Sequence, residues 1–315
     1  MNQGTHPEEL PAQVLADVAK VDGTEVTVVG RLPGGVNGVA VRVRLPGRAY
    51  AVLKAVPRAE HSNYLDETLR ARRVAEHMRG RGYPTPAWLG VGATTTHVWH
   101  LTDFVDAAPA TELTPPLIEQ LMEIIELQAG QASEPYDHWS YAWRVATGKQ
   151  SAAAGPDLNE TPWQVFLRQS IGGLSGYSSE VSVLVGRLRL ECADVPPPRE
   201  SPDMVHADLS TPSNVLVRDG AVVAVVDIGN AGSGTRATDL TSLVWYTLQD
   251  PQLDGVRKRL WQRILDLVGW EGAAVLAAAH ILHMLEVPIR HGRHAEVPGV
   301  VERGHRAFDE LDALR

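Results

Sequence analysis

The sequence predicts an α+β chain with a strand-rich first third and a mostly helical remainder. Runs of β-branched residues with alternating apolar positions occupy residues 24–56 and 88–104. From Leu113 onward, apolar residues recur at the three- and four-residue spacing of helices. Within residues 205–227, two apolar runs flank an Asp-Gly pair, which is typical of a β-hairpin.

The composition indicates an ordinary globular protein. The chain has 315 residues, of which 44% are hydrophobic and 21% charged, so it is long enough for one two-lobed unit or two small domains. The net charge of −9 argues against non-specific nucleic-acid binding, which needs a basic surface. The same charge is compatible with a cationic ligand.

Three features bear on the compartment in which the chain works. The single cysteine, Cys192, excludes an intrachain disulfide and favours a reducing environment. The first residues carry no basic start followed by an apolar segment. The best apolar run, 273–279, is too short for a bilayer and is closed by His280. We therefore expect a cytoplasmic protein with no signal peptide and no membrane partner.

The predicted elements of the first third form one antiparallel sheet and one main helix. A short amphipathic helix over residues 7–21 precedes them. The strands are predicted over residues 24–32, 36–45, 49–56, 88–92 and 96–104, with the main helix over 61–79. The first third is thus expected to be a five-stranded antiparallel sheet with one main helix.

Two features of these strands suit a phosphate-binding site. The connection between the first two strands is glycine-rich and contains Gly34, Gly35 and Asn37. Such a turn lets backbone N–H groups approach a phosphate closely, although a glycine pair by itself is more often an ordinary hairpin turn. Lys54 lies in the third strand between apolar neighbours, where a buried ammonium group needs a partner. The alternative is an exposed lysine on an alternating strand.

The segment from His206 to Asp227 carries the most specific pattern. Asp208 lies on a loop, where its carboxylate can accept a proton from an attacking hydroxyl. Asn214 begins the first apolar run, Asp219-Gly220 makes the turn, and the second run returns the chain to Asp227. The hairpin therefore holds Asn214 and Asp227 at the same end. Because Mg²⁺ is usually bound by one or two oxygen-bearing side chains plus phosphates, these two residues are the predicted metal ligands.

This segment resembles the catalytic and metal-binding loops of the aminoglycoside phosphotransferase family, relatives of the protein kinases. The family pattern is roughly His-Gly-Asp-Leu, three variable residues, Asn-Val-Leu, then Val-Val-Asp and an Asp-Leu pair that opens a helix. Asp239 supplies that last pair, and the resemblance covers about residues 25–245. It implies that Asp239 anchors the catalytic loop by accepting backbone N–H bonds. His206 is expected to hold the loop without transferring protons.

Two departures from the family pattern affect the metal site. Asp208 and Asn214 are six positions apart, whereas the family usually has five, so either the loop bulges or Asn214 sits differently. Asp227 is followed by Ile228-Gly229-Asn230, where the family often has an aromatic residue and an acid.

The resemblance also implies a protein-kinase-like two-lobed fold and roles for four further residues. Lys54 would hold the α- and β-phosphates, oriented by Glu67 of the main helix, with Glu76 as the alternative. The carbonyl of Asp103 and the N–H of Val105 would hydrogen-bond a purine, the alternative being an ordinary connection between lobes.

The implied organisation is a nucleotide-binding lobe over residues 1–104, a hinge over 105–112 and a helical lobe over 113–315 that carries the catalytic loop and the acceptor pocket. A cluster of aromatic residues in the second lobe is most often packing, but the resemblance implies that this region helps build the acceptor pocket. The cluster consists of Tyr136, Trp139, Tyr141 and Trp143. A basic stretch over 288–294 is either a solvated loop or part of that pocket.

These expectations together predict a small-molecule O-phosphotransferase. It would use Mg²⁺ to move the γ-phosphate of ATP or GTP to a hydroxyl of an aminoglycoside or another sugar-bearing antibiotic and so confer resistance. The alternatives are a metabolic kinase for choline, homoserine or a sugar, and a nucleotide-binding pseudokinase scaffold. The acceptor, the choice between ATP and GTP, and the formation of a homodimer are left open by the sequence.

Overall fold

A computed structural model of the chain describes residues 10–22, 25–32, 39–47, 50–58, 63–149, 160, 164 and 171–315. The predicted phosphate-turn residues Gly34, Gly35 and Asn37 lie outside these residues, so their role stays a prediction. The chain divides into two compact units. The first consists of Met1–Thr111 and Ser213–Gly229, and the second of Glu112–Pro212 and Asn230–Arg315.

The described strands group into three sheets. In chain order they are β1 (Thr27–Arg31), β2 (Val39–Arg44), β3 (Ala51–Pro57), β4 (Trp88–Ala93), β5 (His97–Asp103), β6 (Ala108–Pro109), β7 (Asp203–Val205), β8 (Val215–Arg218), β9 (Ala221–Val225) and β10 (Gly232–Gly234). An antiparallel five-stranded sheet has the order β1-β2-β3-β5-β4. The predicted five-stranded sheet is therefore confirmed. Two smaller sheets have the orders β6-β8-β9 and β10-β7.

The described helices lie mostly in the second unit. In chain order they are α1 (Ala12–Asp22), α2 (Tyr64–Gly80), α3 (Pro115–Glu126), α4 (His138–Thr147), α5 (Ser179–Cys192), α6 (Ala237–Thr247), α7 (Asp254–Arg290) and α8 (Val297–Asp312). The division predicted from the sequence, with strands first and helices after, is confirmed.

The core of the first unit lies on one face of the five-stranded sheet. Alternate residues of β2 and β3 are buried there, including Val41 and Leu53, and Val14 and Val18 of α1 pack against them. Because successive side chains of a strand point to opposite faces, Lys54 lies on the other face of β3.

The hairpin β8–β9 belongs to the first unit. Its central residues Asp219 and Gly220 have φ of 53° and 76°, the left-handed values that a two-residue hairpin turn needs. From the sequence we assign residues 113–315 to one lobe, whereas residues 213–229 group with the first unit. The reason is that β8 pairs with β6, which precedes Thr111. A two-residue strand such as β6 gives no signal in the sequence.

The long helix α7 is a core helix of the second unit. We predict two helices, over residues 253–268 and 272–285; in the structure the backbone between them leaves the helical conformation at Gly269, where φ is 67° and ψ is −179°. The helical chain over Pro251–Arg290 is long and apolar enough to cross a membrane. The sequence prediction considers only the short apolar run 273–279 and does not anticipate this. However, 72% of its most apolar 18-residue stretch is buried inside the protein, as in the core helix of a soluble fold.

Candidate active site

Lys54 and Asp227 form an ion pair within the first unit. Nζ of Lys54 lies 3.2 Å from Oδ1 of Asp227. The lysine side chain is 18% exposed and the aspartate side chain 49% exposed. A lysine that points into bulk solvent, the alternative from the sequence, is therefore excluded. The structure brings together the predicted phosphate-binding lysine and one predicted magnesium ligand.

The backbone holds Asn214 and Asp227 at the same end of the hairpin. The N–H of Val226 donates to the carbonyl of Asn214 over 2.9 Å. Asp227 has a φ of 64°, so the chain leaves the extended conformation of β9 at this residue. Between Asp208 and Asn214 the chain makes a 3₁₀ turn over Pro212–Asn214.

The donor set at this end of the hairpin fits a magnesium ion. Asn214 offers an amide oxygen and Asp227 a carboxylate, both of which are hard oxygen donors. The half-exposed carboxylate of Asp227 is accessible to an ion. In the part of the chain that the structure describes, no group of three or more His, Cys, Asp and Glu could hold a metal. A magnesium site needs fewer, because phosphates complete its coordination, and these two residues remain the candidate ligands.

Glu67 lies near the Lys54–Asp227 pair. It is in the first turn of α2 and is partly buried. Burial raises the pKa of Tyr64, also in this turn, and the charge of Lys54 lowers it while those of Asp227 and Glu67 raise it. All three charges therefore act on the phenol of Tyr64. The alternative, Glu76, is exposed and bonded to Arg72 at 2.7 Å. Pairing of Glu67 with Lys54 stays a prediction.

A histidine that our sequence analysis missed lies beside Lys54. His100 of β5 is the direct cross-strand partner of Lys54, and its ring stacks on Trp88 with centroids 4.6 Å apart. Burial, together with the nearby charge of Lys54, lowers the pKa of His100 to about 3. The ring is therefore neutral and adds no second cation beside the lysine. Only the strand register shows this proximity, because 46 positions separate the two residues.

The predicted purine-binding connection follows β5. The N–H of Asp103 donates to the carbonyl of Ala87 over 2.9 Å, and the carbonyl of Val105 accepts from the N–H of Ala107 over 2.9 Å. These two bonds use the N–H of Asp103 and the carbonyl of Val105. The predicted purine contacts use the opposite groups, the carbonyl of Asp103 and the N–H of Val105. Their role stays a prediction.

Asp239 anchors the catalytic loop inside the second unit. It is completely buried, and its Oδ2 accepts hydrogen bonds from the N–H of His206 at 2.8 Å and from Nε2 of Gln128 at 2.9 Å. Its Oδ1 accepts the N–H of Ala207 at 2.9 Å. The anchoring expected of Asp239 is confirmed. Gln128 is a further member of this network, which the sequence pattern alone does not identify.

Asp208 lies on this anchored loop and is partly exposed. Its Oδ1 accepts a hydrogen bond from the hydroxyl of Thr211 at 2.5 Å, which orients the carboxylate. The N–H of Asp208 donates to Nδ1 of the fully buried His206 over 3.3 Å. His206 thus holds the loop, as we expect from the sequence, while the role of Asp208 as base stays a prediction.

Two groups in the second unit that the sequence analysis relates to the acceptor make internal contacts. The Tyr141 hydroxyl is 2.8 Å from Nε2 of the stacked His283, and this tyrosine is buried. In the basic stretch, Arg290 pairs with Glu286, and His294 hydrogen-bonds Tyr177 at 2.8 Å. These contacts favour packing and internal charge pairing for both groups.

Comparisons with known proteins identify the family of the chain. The model of the phosphotransferase enzyme family (APH) matches residues 28–276, about four-fifths of the chain. No curated protein matches the chain in a sequence search.

Three solved structures show the same fold at low sequence identity. The first is a thermostable mutant of aminoglycoside phosphotransferase APH(4)-Ia in ternary complex with AMP-PNP and hygromycin B. It is 19% identical in sequence with a TM-score of 0.62, and the alignment spans 94% of this chain and 98% of that one. Spectinomycin phosphotransferase APH(9)-Ia, in complex with ADP and spectinomycin, is 13% identical, with a TM-score of 0.59 and coverages of 96% and 99%. Macrolide 2'-phosphotransferase MphH from Brachybacterium faecium is 18% identical, with a TM-score of 0.51 and coverages of 94% and 98%.

The extent of the family match decides the assignment, and the strand order and the anchored catalytic loop agree with it. The chain belongs to the phosphotransferase enzyme family and is a phosphotransferase that acts on hydroxyl groups.

Proposed function

We propose that this protein moves the γ-phosphoryl group of ATP to a hydroxyl of a sugar-bearing antibiotic. The observation that carries the proposal is the ion pair of Lys54 and Asp227, because it assembles a phosphate-binding cation and a metal-binding carboxylate in one unit. Family membership supplies the reaction class. Because the reaction needs a nucleoside triphosphate, the cytoplasm, where such nucleotides are available, is the proposed place of action.

The proposed roles follow from charge and hydrogen-bonding capacity. Lys54, oriented by Glu67, binds the α- and β-phosphates. Asn214 and Asp227 hold Mg²⁺, which when bound neutralises the charge of the phosphates. Asp208 accepts the proton of the acceptor hydroxyl, and the Thr211 hydroxyl keeps its carboxylate oriented. Catalysis of this kind comes from positioning and electrostatics, since no covalent step on the protein is needed.

The remaining proposed nucleotide contacts are made by the backbone. N–H groups near Gly34, Gly35 and Asn37 approach the phosphates, while Asp103 and Val105 hydrogen-bond the purine. Backbone contacts of this kind read a purine edge in general, so GTP is the alternative donor. The solved structures that bind ADP or AMP-PNP support ATP.

An antibiotic acceptor is supported by the neighbours and by charge. Two of the neighbouring structures contain hygromycin B or spectinomycin, and the third is named a macrolide 2'-phosphotransferase. A net charge of −9 favours the approach of a cationic acceptor. The second candidate function, a nucleotide-binding pseudokinase scaffold, is favoured by one observation, the six-residue spacing between Asp208 and Asn214.

A nucleotide-consumption screen tests the proposal. The purified protein is incubated with Mg²⁺ and ATP or GTP against a panel of aminoglycosides, macrolides, nucleoside and peptide antibiotics, choline, homoserine and sugars. The Asp208→Asn variant measures the background. Acceptor-dependent consumption with one antibiotic class, together with protection of a sensitive host, supports the proposal. Turnover only with a metabolite contradicts it, and Mg²⁺-dependent nucleotide binding without any turnover indicates the scaffold.

A further inference from the structure

The loop that carries Asp227 is held by two cations of the first unit. Lys54 contacts the carboxylate of Asp227, as described above. Two residues further along, the carbonyl of Gly229 accepts a hydrogen bond from Nη2 of Arg70 over 2.6 Å. Residues 227–229 are thus held at the side chain by β3 and at the backbone by α2.

Arg70 is placed on the same face of α2 as the predicted lysine-orienting glutamate. Glu67 and Arg70 are three positions apart, and residues at this spacing are neighbours on a helix surface. Arg70 is only 6% exposed. Burying a guanidinium group is costly unless it is hydrogen-bonded, so an arginine at this position indicates a specific partner. The carbonyl of Gly229 is such a partner.

The conformation of Asp227 explains why its loop needs support. A left-handed φ of 64° is strained for a residue with a side chain, and it persists only where the surroundings fix it. On the N-terminal side, the N–H of Val226 bonds the carbonyl of Asn214, and the N–H of Val225 bonds the carbonyl of Pro84 at 2.5 Å. On the C-terminal side, the bond from Arg70 to Gly229 fixes the chain.

We infer that Arg70 is a positioning residue for the magnesium site. By holding the carbonyl of Gly229, it keeps Asp227 in the left-handed conformation and so aims the carboxylate at the metal. This inference rests on the proposed function, since it assigns Arg70 a part in the metal site of that reaction. Arg70 itself need not touch metal or nucleotide.

Binding of AMP-PNP, measured by calorimetry over a series of Mg²⁺ concentrations and again in EDTA, tests the inference. Arg70→Met keeps the length of the side chain and removes its donors, whereas Arg70→Lys keeps a charge and a donor. Arg72→Met is the matched control, because Arg72 lies on the same helix but its side chain is 38% exposed and ion-paired with Glu76.

We expect Arg70→Met to raise the Mg²⁺ concentration for half-maximal binding about tenfold, the usual scale for a residue that orients a metal ligand. Its affinity for AMP-PNP in EDTA should stay within about twofold of the wild type. Arg70→Lys should recover part of the loss, and Arg72→Met should match the wild type. An unchanged Mg²⁺ dependence in Arg70→Met, or an equal loss with and without Mg²⁺, would overturn the inference.

Three further outcomes are also decisive. If Arg70→Met does not fold, as judged by circular dichroism, Arg70→Lys and Arg70→Gln are measured in its place, and wild-type Mg²⁺ dependence in both overturns the inference. If the wild type binds AMP-PNP with no Mg²⁺ dependence, the proposed function fails and the inference fails with it. If the wild type binds AMP-PNP in a Mg²⁺-dependent way and the Arg70 variants show the same dependence, the proposed function stands and the inference alone is wrong.

Discussion

Lys54 and Asp227 meet at 3.2 Å although 173 positions separate them in the chain. The aspartate is half exposed, and ion pairs of this exposure contribute only about 0–1 kcal/mol to stability. Breaking the pair therefore costs little free energy, so phosphate oxygens can take the place of Asp227 beside Lys54 and a metal ion can take the place of Lys54 beside Asp227. In the proposed function, the pair neutralises both charges before nucleotide and Mg²⁺ bind.

Asp227→Ala should abolish the Mg²⁺ dependence of nucleotide binding, because the variant lacks the only carboxylate among the two predicted ligands. Calorimetric titration with AMP-PNP, with and without Mg²⁺, measures this. Asp219→Asn, in the hairpin turn, is the control and should leave the dependence unchanged. Survival of the Mg²⁺ dependence in Asp227→Ala would remove Asp227 from the metal site.

Asp208→Asn should keep nucleotide affinity and lower kcat by about 10²–10⁴-fold, the usual contribution of a general base. The asparagine preserves the size of the side chain and can still accept a hydrogen bond from Thr211. Steady-state turnover with the acceptor found in the screen measures the loss. Near-normal kcat would show that another group accepts the proton.

Asp239→Ala should destabilise the second unit by about 3–5 kcal/mol, because it leaves the N–H of His206 and the amide of Gln128 buried, and the N–H of Ala207 partly buried, without their charged acceptor. Urea unfolding measures the change. Asp266→Ala on α7 is the control, since Asp266 is exposed and accepts a hydrogen bond from the exposed Gln262 at 2.9 Å. A loss below about 1 kcal/mol would contradict the anchoring role.

Ala207→Gly should stabilise the protein by about 0.5–1 kcal/mol. Ala207 has a φ of 69°, a left-handed value that glycine adopts without strain, and it is exposed, so no packing is lost. Ala193→Gly, where φ is −58°, is the control and should destabilise. Thermal unfolding distinguishes the two; equal losses in both variants would show that no strain is relieved at Ala207.

Acid should destabilise the second unit through two partly buried histidines of α7, His280 and His283. Burial lowers the pKa of His283 to about 3 and that of His280 to about 4, so both are neutral in the folded state. The unfolded chain takes up protons near pH 6.5. Below that pH the unfolded state binds more protons, so the free energy of unfolding falls from about pH 6.5 to pH 3–4.

At pH 5 we expect a loss of about 1–2 kcal/mol for each histidine relative to pH 7.5. Urea unfolding at the two pH values should show a smaller loss in His283→Gln than in the wild type. The exposed His291 provides the control: His291→Gln should keep the full loss. An identical pH dependence in all three proteins would show that His283 does not titrate as its burial predicts.

The sequence predicts what depends on local order. Alternating apolar positions predict the strands of the first unit, and the Asp-Gly pair predicts the turn of the hairpin that carries Asn214 and Asp227. The family pattern predicts the anchoring by Asp239. These succeed because side-chain periodicity, turn geometry and motif spacing depend on residues close together in the chain.

Other features depend on contacts between distant segments. The placement of His100 opposite Lys54 requires the register of β3 against β5, and the grouping of residues 213–229 with the first unit requires the pairing of β8 with the two-residue β6. The bond from Arg70 to Gly229 joins residues 159 positions apart. The sequence by itself determined the elements and the loop that Asp239 anchors, whereas only the tertiary structure decided which cations hold the loop that carries Asp227, because cross-strand register and helix docking are set by packing and leave no periodic signal.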